Sequence, residues 1–282
     1  MPSFRTLRTK FIAENPQILA EDVDFVLAER QNLTPSQYRL QLDQDLPKEQ
    51  LTQIKKDLNK LHKGMSPQYI VGHAWFLGYS IDVHPGVLIP RFETEELVTW
   101  ALDYLKDNSK VLDLGTGSGA ITVALAKKAE CKNINNIVYY ASDITDSALR
   151  QSEENFLKFN LNDIITRKAD ALIGLEKFDL IISNPPYIKN SEKDLMDQNV
   201  IKNEPEEALF AGADGLDFYR RFVKQVPKHL NKDGHFFLEF GFSQKDLLAE
   251  LFAKELPEFT IELKNDLAGK PRMVHGLSLI HI

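Results

Sequence analysis

Val111-Leu112-Asp113-Leu114 runs directly into Gly115-Thr116-Gly117-Ser118-Gly119-Ala120. The first four residues read as a buried strand, and the helix-forming run from Ala120 to Ala129 reads as the helix that follows it. Glycines between a strand and a helix permit positive φ and let the backbone approach a ligand, while the first N–H groups of the helix point at the same place. A small nucleoside-containing cofactor is therefore expected here. As a pattern, Gly115, Gly117 and Ala120 also satisfy the dinucleotide form, so the loop leaves nicotinamide cofactors and S-adenosylmethionine both open. The plain alternative is a glycine-rich turn that only packs a helix closely on a strand.

Outward from this loop, strand and helix alternate. A helix over Thr94–Lys106 precedes the first strand. Downstream come a strand over Ile137–Ala141, a helix over Ser147–Phe159, a short extended piece at Ile164–Thr166 and a continuous apolar strand over Phe178–Ser183. A helix around Phe218–Leu230, a strand at His235–Phe240, a helix over Gln244–Leu256 and two closing strands near Thr260 and Met273 follow. Alternation of this kind implies an α/β fold: a mostly parallel, Rossmann-like sheet of seven strands with helices on both faces, binding its ligand at the carboxyl ends of the strands. Leu279-Ile280-His281-Ile282 reads as a closing strand or tail.

The first seventy residues carry a different pattern. Thr34-Pro35-Ser36-Gln37 offers an N-cap, a proline at the first helical position and a glutamine at the third, a capping-box start. A helix opening at Pro47 places Leu51, Ile54, Leu58 and Leu61 three and four apart and stops at Gly64, giving one apolar stripe on a polar helix. This segment, residues 1–72, is expected to be a small helical, substrate-recognition domain. Residues 73–92, β-rich and punctuated by Gly78 and His84-Pro85-Gly86, are expected to form a β-hairpin linker to the catalytic domain, residues 93–282.

Composition narrows the classes of function. The chain has 282 residues, near twice the ~150 of a typical domain, and its 43% hydrophobic residues suffice for a core, so two globular domains are expected. No apolar run reaches the ~18 residues that span a bilayer, and the N-terminus lacks a signal-peptide pattern, so neither membrane nor export is expected. The single cysteine, Cys131, allows neither an internal disulfide nor a thiolate zinc cluster, which points to a reducing, cytoplasmic compartment and no metal. The formal charge is −7, with ten Lys/Arg against nine Asp/Glu in residues 1–72 and 24 against 32 in the remainder. That balance disfavours nucleic acid as the direct substrate.

Three groups of residues follow the glycine loop at strand ends. Asp143 ends the second strand, where a carboxylate can accept hydrogen bonds from both hydroxyls of a ribose; an N-cap role is the competing reading, with Asp146 a rival for it. Asp170-Ala171 follows the third strand and is a candidate to hold the adenine edge, with a purely structural role the competing reading. The buried strand Phe178–Ser183 ends in Asn184-Pro185-Pro186-Tyr187. Two prolines stiffen that turn and remove two N–H donors, leaving a rigid set of acceptors, with the Asn184 side-chain carbonyl added and the flat face of Tyr187 available for stacking. An amide or aromatic amine nitrogen is a poor nucleophile because its lone pair is delocalised. Two acceptors gripping its N–H bonds orient it and favour pyramidal character, which is catalysis by positioning and preorganised electrostatics.

Asn184-Pro185-Pro186-Tyr187 together with Asp113–Gly119 resembles the class I methyltransferases that modify planar nitrogens. Pro67-Gln68-Tyr69-Ile70-Val71-Gly72, Val87-Leu88-Ile89-Pro90-Arg91 with Glu93-Thr94-Glu95, and Glu204-Pro205 with Ala208-Leu209 and Gly215-Leu216 resemble the release factor glutamine methyltransferases, the PrmC or HemK family. The resemblance covers nearly the whole chain. It implies methyl transfer from S-adenosylmethionine, leaving S-adenosylhomocysteine, to the glutamine N5 of the Gly-Gly-Gln motif of class 1 peptide chain release factors. It further implies that Gly115, Thr116, Gly117, Ser118 and Gly119 line the methionine end of the cofactor and that Asp143 binds its ribose. Asp170 and Ala171 would flank the adenine, and Asn184, Pro185, Pro186 and Tyr187 would hold the substrate amide, with Asn184 the catalytic residue and also beside the cofactor. Phe92 stands where the family usually has a second proline, and Ala171 where relatives often carry a bulkier residue. Competing readings are an N6-adenine methyltransferase acting on DNA or RNA, with the base flipped out to reach Tyr187; an NAD-dependent oxidoreductase, which leaves the Asn-Pro-Pro-Tyr turn unexplained; and a catalytically silent binding module.

Overall fold

The computed structural model describes residues 2–196 and 198–279, so Ile280, His281 and Ile282 of the expected closing tail lie outside the described residues. Contacts divide the chain into two units. The first is formed by the N-terminal residues through His73, together with Val83–Pro85 and the short segment up to Asn203; the second comprises Ala74–Asp82, Gly86–Met196 and the chain from Glu204.

Helices α1 (Phe4–Glu14), α2 (Ala20–Glu29), α3 (Pro35–Leu40), α4 (Lys48–His62) and α5 (Pro67–Val71) make up most of the first unit. The capping box of α3 is formed: the Gln37 backbone N–H donates to Thr34 Oγ1 at 3.3 Å and the Thr34 N–H donates to Gln37 Oε1 at 2.9 Å. The apolar stripe of α4 buries Ile54, Leu58 and Leu61 against Val23, Val26, Leu27 and Tyr38. Asp57 lies on the same buried face and is held by the Arg30 guanidinium at 2.7 Å, which also donates to the Ile70 carbonyl. Removing either partner would leave a desolvated charge.

Strands β1 (His73–Phe76) and β2 (Tyr79–Asp82) form a hairpin. The sequence reading makes residues 73–92 a β-hairpin linker between the two domains. In the structure Ala74–Asp82 belongs to the second unit, because Phe76 and Ile81 bury themselves in its main core. The elements that follow are α6 (Phe92–Leu102), β3 (Lys110–Leu114), α7 (Ala120–Cys131), β4 (Val138–Asp143), α8 (Asp146–Lys158), β5 (Ile165–Lys168), β6 (Phe178–Ser183), α9 (Gln198–Asn203), α10 (Asp217–His229), β7 (Leu230–Glu239), α11 (Lys245–Glu255), β8 (Phe259–Asn265) and β9 (Pro271–Ser278). Among the described residues they build a seven-stranded sheet in the order β5-β4-β3-β6-β7-β9-β8. Pairing is parallel from β5 through β7, and β9 is antiparallel to both of its neighbours.

Both faces of the sheet are covered. Val111, Ile182 and Phe237 join Leu97, Trp100 and Val123 of α6 and α7 in one core, whereas Leu112, Ile181 and Phe236 join Phe222 and Phe252 of α10 and α11 in the other. Adjacent residues point to opposite faces, so a continuous apolar strand fills two layers at once.

Leu230 corrects the expected helix end. Its spacing from Phe222 and Val226 continues the apolar stripe of α10, yet it pairs with Phe178 and opens β7, five residues ahead of the expected start at His235. Periodicity does not see a partner strand. At Gly276 in β9 the ring of Phe236 lies so close that an added Cβ would stand 2.1 Å from it. Gly276→Ala is expected to destabilise the protein by about 2 kcal/mol or more through overpacking, read as a lower urea midpoint at unchanged slope.

Candidate active site

Parallel pairing brings the carboxyl ends of β3, β4 and β6 to one edge of the sheet, with Leu114 beside Ser142 and Asp113 beside Ile182. The glycine loop is tied back across this edge: the N–H groups of Gly115 and Thr116 both donate to the Ser142 carbonyl at 2.8 Å. Ser183 Oγ donates to the Leu114 carbonyl at 2.6 Å and joins β6 to β3 at the same level. Above these ends opens a cleft of about 690 Å³, within the size range of small-molecule sites. Its walls include Gly115, Thr116, Gly117, Ser118, Asp143, Asp170, Ala171, Asn184, Pro185 and Pro186. Ten of the sequence-derived positions thus meet around one space.

Gly119 is not among the cleft-lining residues. Its φ is +80°, and an added Cβ would stand 2.7 Å from the Phe156 ring, so packing of α7 against α8 demands this glycine. At Gly115, by contrast, φ is +72° and nothing lies near an added Cβ, leaving the backbone open to a ligand.

Asp113 closes the underside of the loop. Thr116 Oγ1 and Thr122 Oγ1 each donate to its Oδ2 at 2.7 Å, with the Thr122 N–H at 3.2 Å, while Oδ1 is buried without a hydrogen-bond partner among the described residues. Burial pushes its carboxyl up to about 6, against the opposing pull of those donors. Asp143 accepts from the Gly117 N–H at 3.1 Å through Oδ2 and from the Thr145 N–H at 2.9 Å through Oδ1. The cap of α8 is Thr145, whose hydroxyl accepts from the Ala148 N–H, and neither Asp143 nor Asp146 does this work. Asp170 Oδ1 accepts from Arg221 at 2.6 Å on the rim, and Ala171 sits at φ +52°.

The Asn-Pro-Pro-Tyr turn is anchored from below. Asn184 Nδ2 donates to Thr94 Oγ1 at 2.9 Å, and Thr94 donates to Glu239 Oε2 at 2.6 Å. Tyr187 corrects the expectation of an open stacking face. Its hydroxyl donates inward to Glu239 Oε1 at 3.0 Å, its carbonyl accepts from Gln244 Nε2 at 2.8 Å, and its ring packs on the α10/α11 core. The apolar body of a tyrosine pulls it into the core once a buried acceptor receives the hydroxyl. Glu239 is 1% exposed, and burial pushes its carboxyl up to about 7. Nothing in the sequence reading singled out Thr94 or Glu239 as site residues, although a carboxylate ending the apolar run Phe236-Phe237-Leu238 is itself a signal, because buried charges need dedicated partners.

Among the described residues no cluster of His, Cys, Asp or Glu could hold a metal ion, and no helix is long and apolar enough to cross a membrane.

A parallel sheet closed by an antiparallel strand pair, with a glycine loop, a strand-end carboxylate and an Asn-Pro-Pro turn around one cleft, defines a methyltransferase fold. In agreement, the Methyltransferase small domain family matches residues 81–212 and the PrmC N-terminal domain family matches residues 9–72. The chain is 40% identical to the release factor glutamine methyltransferase of Streptococcus pneumoniae over 258 residues, covering 90% of both chains. It is 39% identical to that of Lactococcus lactis, covering 79% of this chain and 80% of the relative. A methyltransferase structure from Pyrococcus furiosus matches with a TM-score of 0.51 at 17% identity, covering 82% of this chain and 98% of the other, a likeness of fold. The chain belongs to the release factor glutamine methyltransferase family.

The raised Asp113 carboxyl gives a pH signature. Its folded pKa of about 6 lies above its ordinary value of 3.8, so the folded state binds the proton more tightly. Its contribution to stability is fully present below about pH 4 and is lost as pH rises through 6, by roughly 3 kcal/mol at most. Asp113→Asn is expected to flatten that part of the profile, measured as the urea midpoint of variant and wild type at pH 4.5 and 7.

Proposed function

We propose that this protein methylates the side-chain amide nitrogen (N5) of the glutamine in the Gly-Gly-Gln motif of class 1 peptide chain release factors, with S-adenosylmethionine as the donor. The observation that carries the reading is that Asn184, Pro185 and Pro186 line the same cleft as the Gly115–Ser118 loop and Asp143. An acceptor array for a planar nitrogen and a cradle for a nucleoside are thus contiguous.

The residues present suit that donor. The cleft volume fits a nucleoside with an amino-acid tail, the Gly115 backbone is open, and the unpartnered Asp113 Oδ1 is a spare acceptor beneath the loop. Gly115–Ser118 would hold the amino-acid end, Asp143 the ribose hydroxyls, and Asp170 with Ala171 the adenine edge. When bound, S-adenosylmethionine supplies an electrophilic methyl on a sulfonium.

Asn184 Oδ1 would accept one N–H of the substrate carboxamide, and the carbonyls of the proline turn, which no N–H of Pro185 or Pro186 competes for, would accept the other. Held in this way, the nitrogen would be oriented for attack and would need no strong base. Transfer would form the N–C bond as the donor's S–C bond breaks, and the nitrogen would return to a neutral secondary amide by releasing one proton to solvent. The helical N-terminal unit, which has its own core, would serve substrate recognition. Family membership and the clearly negative balance of residues 73–282 support a protein substrate over a nucleic acid.

Mass spectrometry of a release factor incubated with enzyme and labelled cofactor tests the reading, with oligonucleotides alongside. One methyl on the Gly-Gly-Gln glutamine is expected, and label on the oligonucleotide alone would overturn it. Asn184→Ala is expected to lower turnover by about 10²-fold or more while calorimetric affinity for S-adenosylmethionine changes little. Asp143→Ala is expected to weaken that affinity by roughly 10- to 100-fold, and wild-type affinity in this variant would remove the ribose assignment.

A further inference from the structure

Asn184 can serve as an acceptor only if its amide is turned the right way, and a carboxamide has nearly the same shape in either orientation. Something must fix its polarity. Thr94, 3% exposed, has one hydroxyl hydrogen and sits between Glu239 Oε2 at 2.6 Å and Asn184 Nδ2 at 2.9 Å. An ionised carboxylate only accepts, so the Thr94 hydrogen is committed to Glu239, and its lone pair can then only accept from the Asn184 NH₂. Glu239 Oε1 takes the Tyr187 hydroxyl at 3.0 Å. One carboxylate therefore clips both ends of the Asn-Pro-Pro-Tyr turn. Its own backbone is fixed in turn, because the Tyr219 hydroxyl donates to the Glu239 carbonyl at 2.6 Å.

We propose that Glu239 is a positioning residue for methyl transfer: through Thr94 it holds the Asn184 amide with Oδ1 turned toward the cleft, and through Tyr187 it fixes the far end of the turn. This rests on the acceptor role given to Asn184 above.

The device is sensitive to the charge on Glu239. Burial and, less strongly, Glu93 favour its protonation, while the donors Thr94 and Tyr187 and then Arg272 favour the anion; the phenols of Tyr187 and Tyr219 are both pushed up by burial and stay protonated. The carboxyl titrates near 7. Once protonated it can donate to Thr94, whose hydrogen is then free to bond Asn184 Oδ1, and the amide reverses. Below that pH turnover falls, whereas cofactor affinity does not.

The test is single-turnover methylation of a release factor across pH 5.5–8.5 in wild type, Thr94→Val, Thr94→Ser and Glu239→Gln, with calorimetric cofactor affinity measured on each. The wild type is expected to lose rate below an apparent pKa near 7. Thr94→Val, which has the same shape without the hydroxyl, should lose roughly 10- to 100-fold in rate, keep its cofactor affinity and show no acid limb. Thr94→Ser should stay within about threefold of wild type and keep the limb. Glu239→Gln has no proton to lose and should also show none, which carries the test should Thr94→Val fail to fold. Wild-type rate in Thr94→Val, or an unaltered acid limb in Glu239→Gln, overturns the proposal. Loss of turnover in Asn184→Ala alongside a normal Thr94→Val would sink only this inference, whereas full turnover in Asn184→Ala would sink the acceptor role itself.

Discussion

Parallel pairing of β3 with β4 on one side and β6 on the other is the constraint on which the rest depends. Neighbouring strands lie about 5 Å apart, so three chain reversals that are far apart in sequence are forced to share one edge. Gly115 leaves β3, Asp143 closes β4 and Asn184 follows β6. None of the three could form a site alone. Their meeting is held by burial of the strands on both faces, with Val111 and Ile182 in one core and Leu112 and Ile181 in the other. A one-residue slip would exchange those layers. It would also carry Asn184 out of level with the glycine loop.

Two carboxyl groups, Asp113 and Glu239, are buried directly beneath the site, one under each wall. Burying a charge is expensive unless it is paired or hydrogen-bonded, and among the described residues no ion pair involves either of them. Each is met by hydroxyl donors instead: Thr116 and Thr122 for Asp113, Thr94 and Tyr187 for Glu239. Burial pushes both carboxyls well above their ordinary range, and the hydroxyl donors offset only part of that rise. Arg30 pairs with Asp57 in the helical unit, and Arg272, whose partner is Asp266, also favours the Glu239 anion from a distance.

Most of the element order was legible because alternating strand and helix patterns survive averaging over many residues. The strand Phe178–Ser183 and the capping box at Thr34 fall where local pattern places them. Leu230 does not, since its helical spacing is overruled by a pairing partner fifty-two residues upstream. Gly119 and Gly115 are chemically identical in the loop, and only the position of Phe156 separates a packing glycine from an open one. Tyr187 was readable as an aromatic beside a cleft, but the direction of its ring depends on an acid in another strand.

Residue chemistry and short-range order therefore placed a glycine loop at Gly115–Gly119, a strand-end carboxylate at Asp143 and a donor-poor proline turn after Asn184. All of these lie in contiguous segments whose backbone is set by their own side chains. Folding alone decided which way the Asn184 amide faces, that Tyr187 turns inward, and that Thr94 and Glu239 stand behind both. Those outcomes rest on hydrogen bonds across 52 to 145 residues of chain, and no local pattern encodes a partner at that separation.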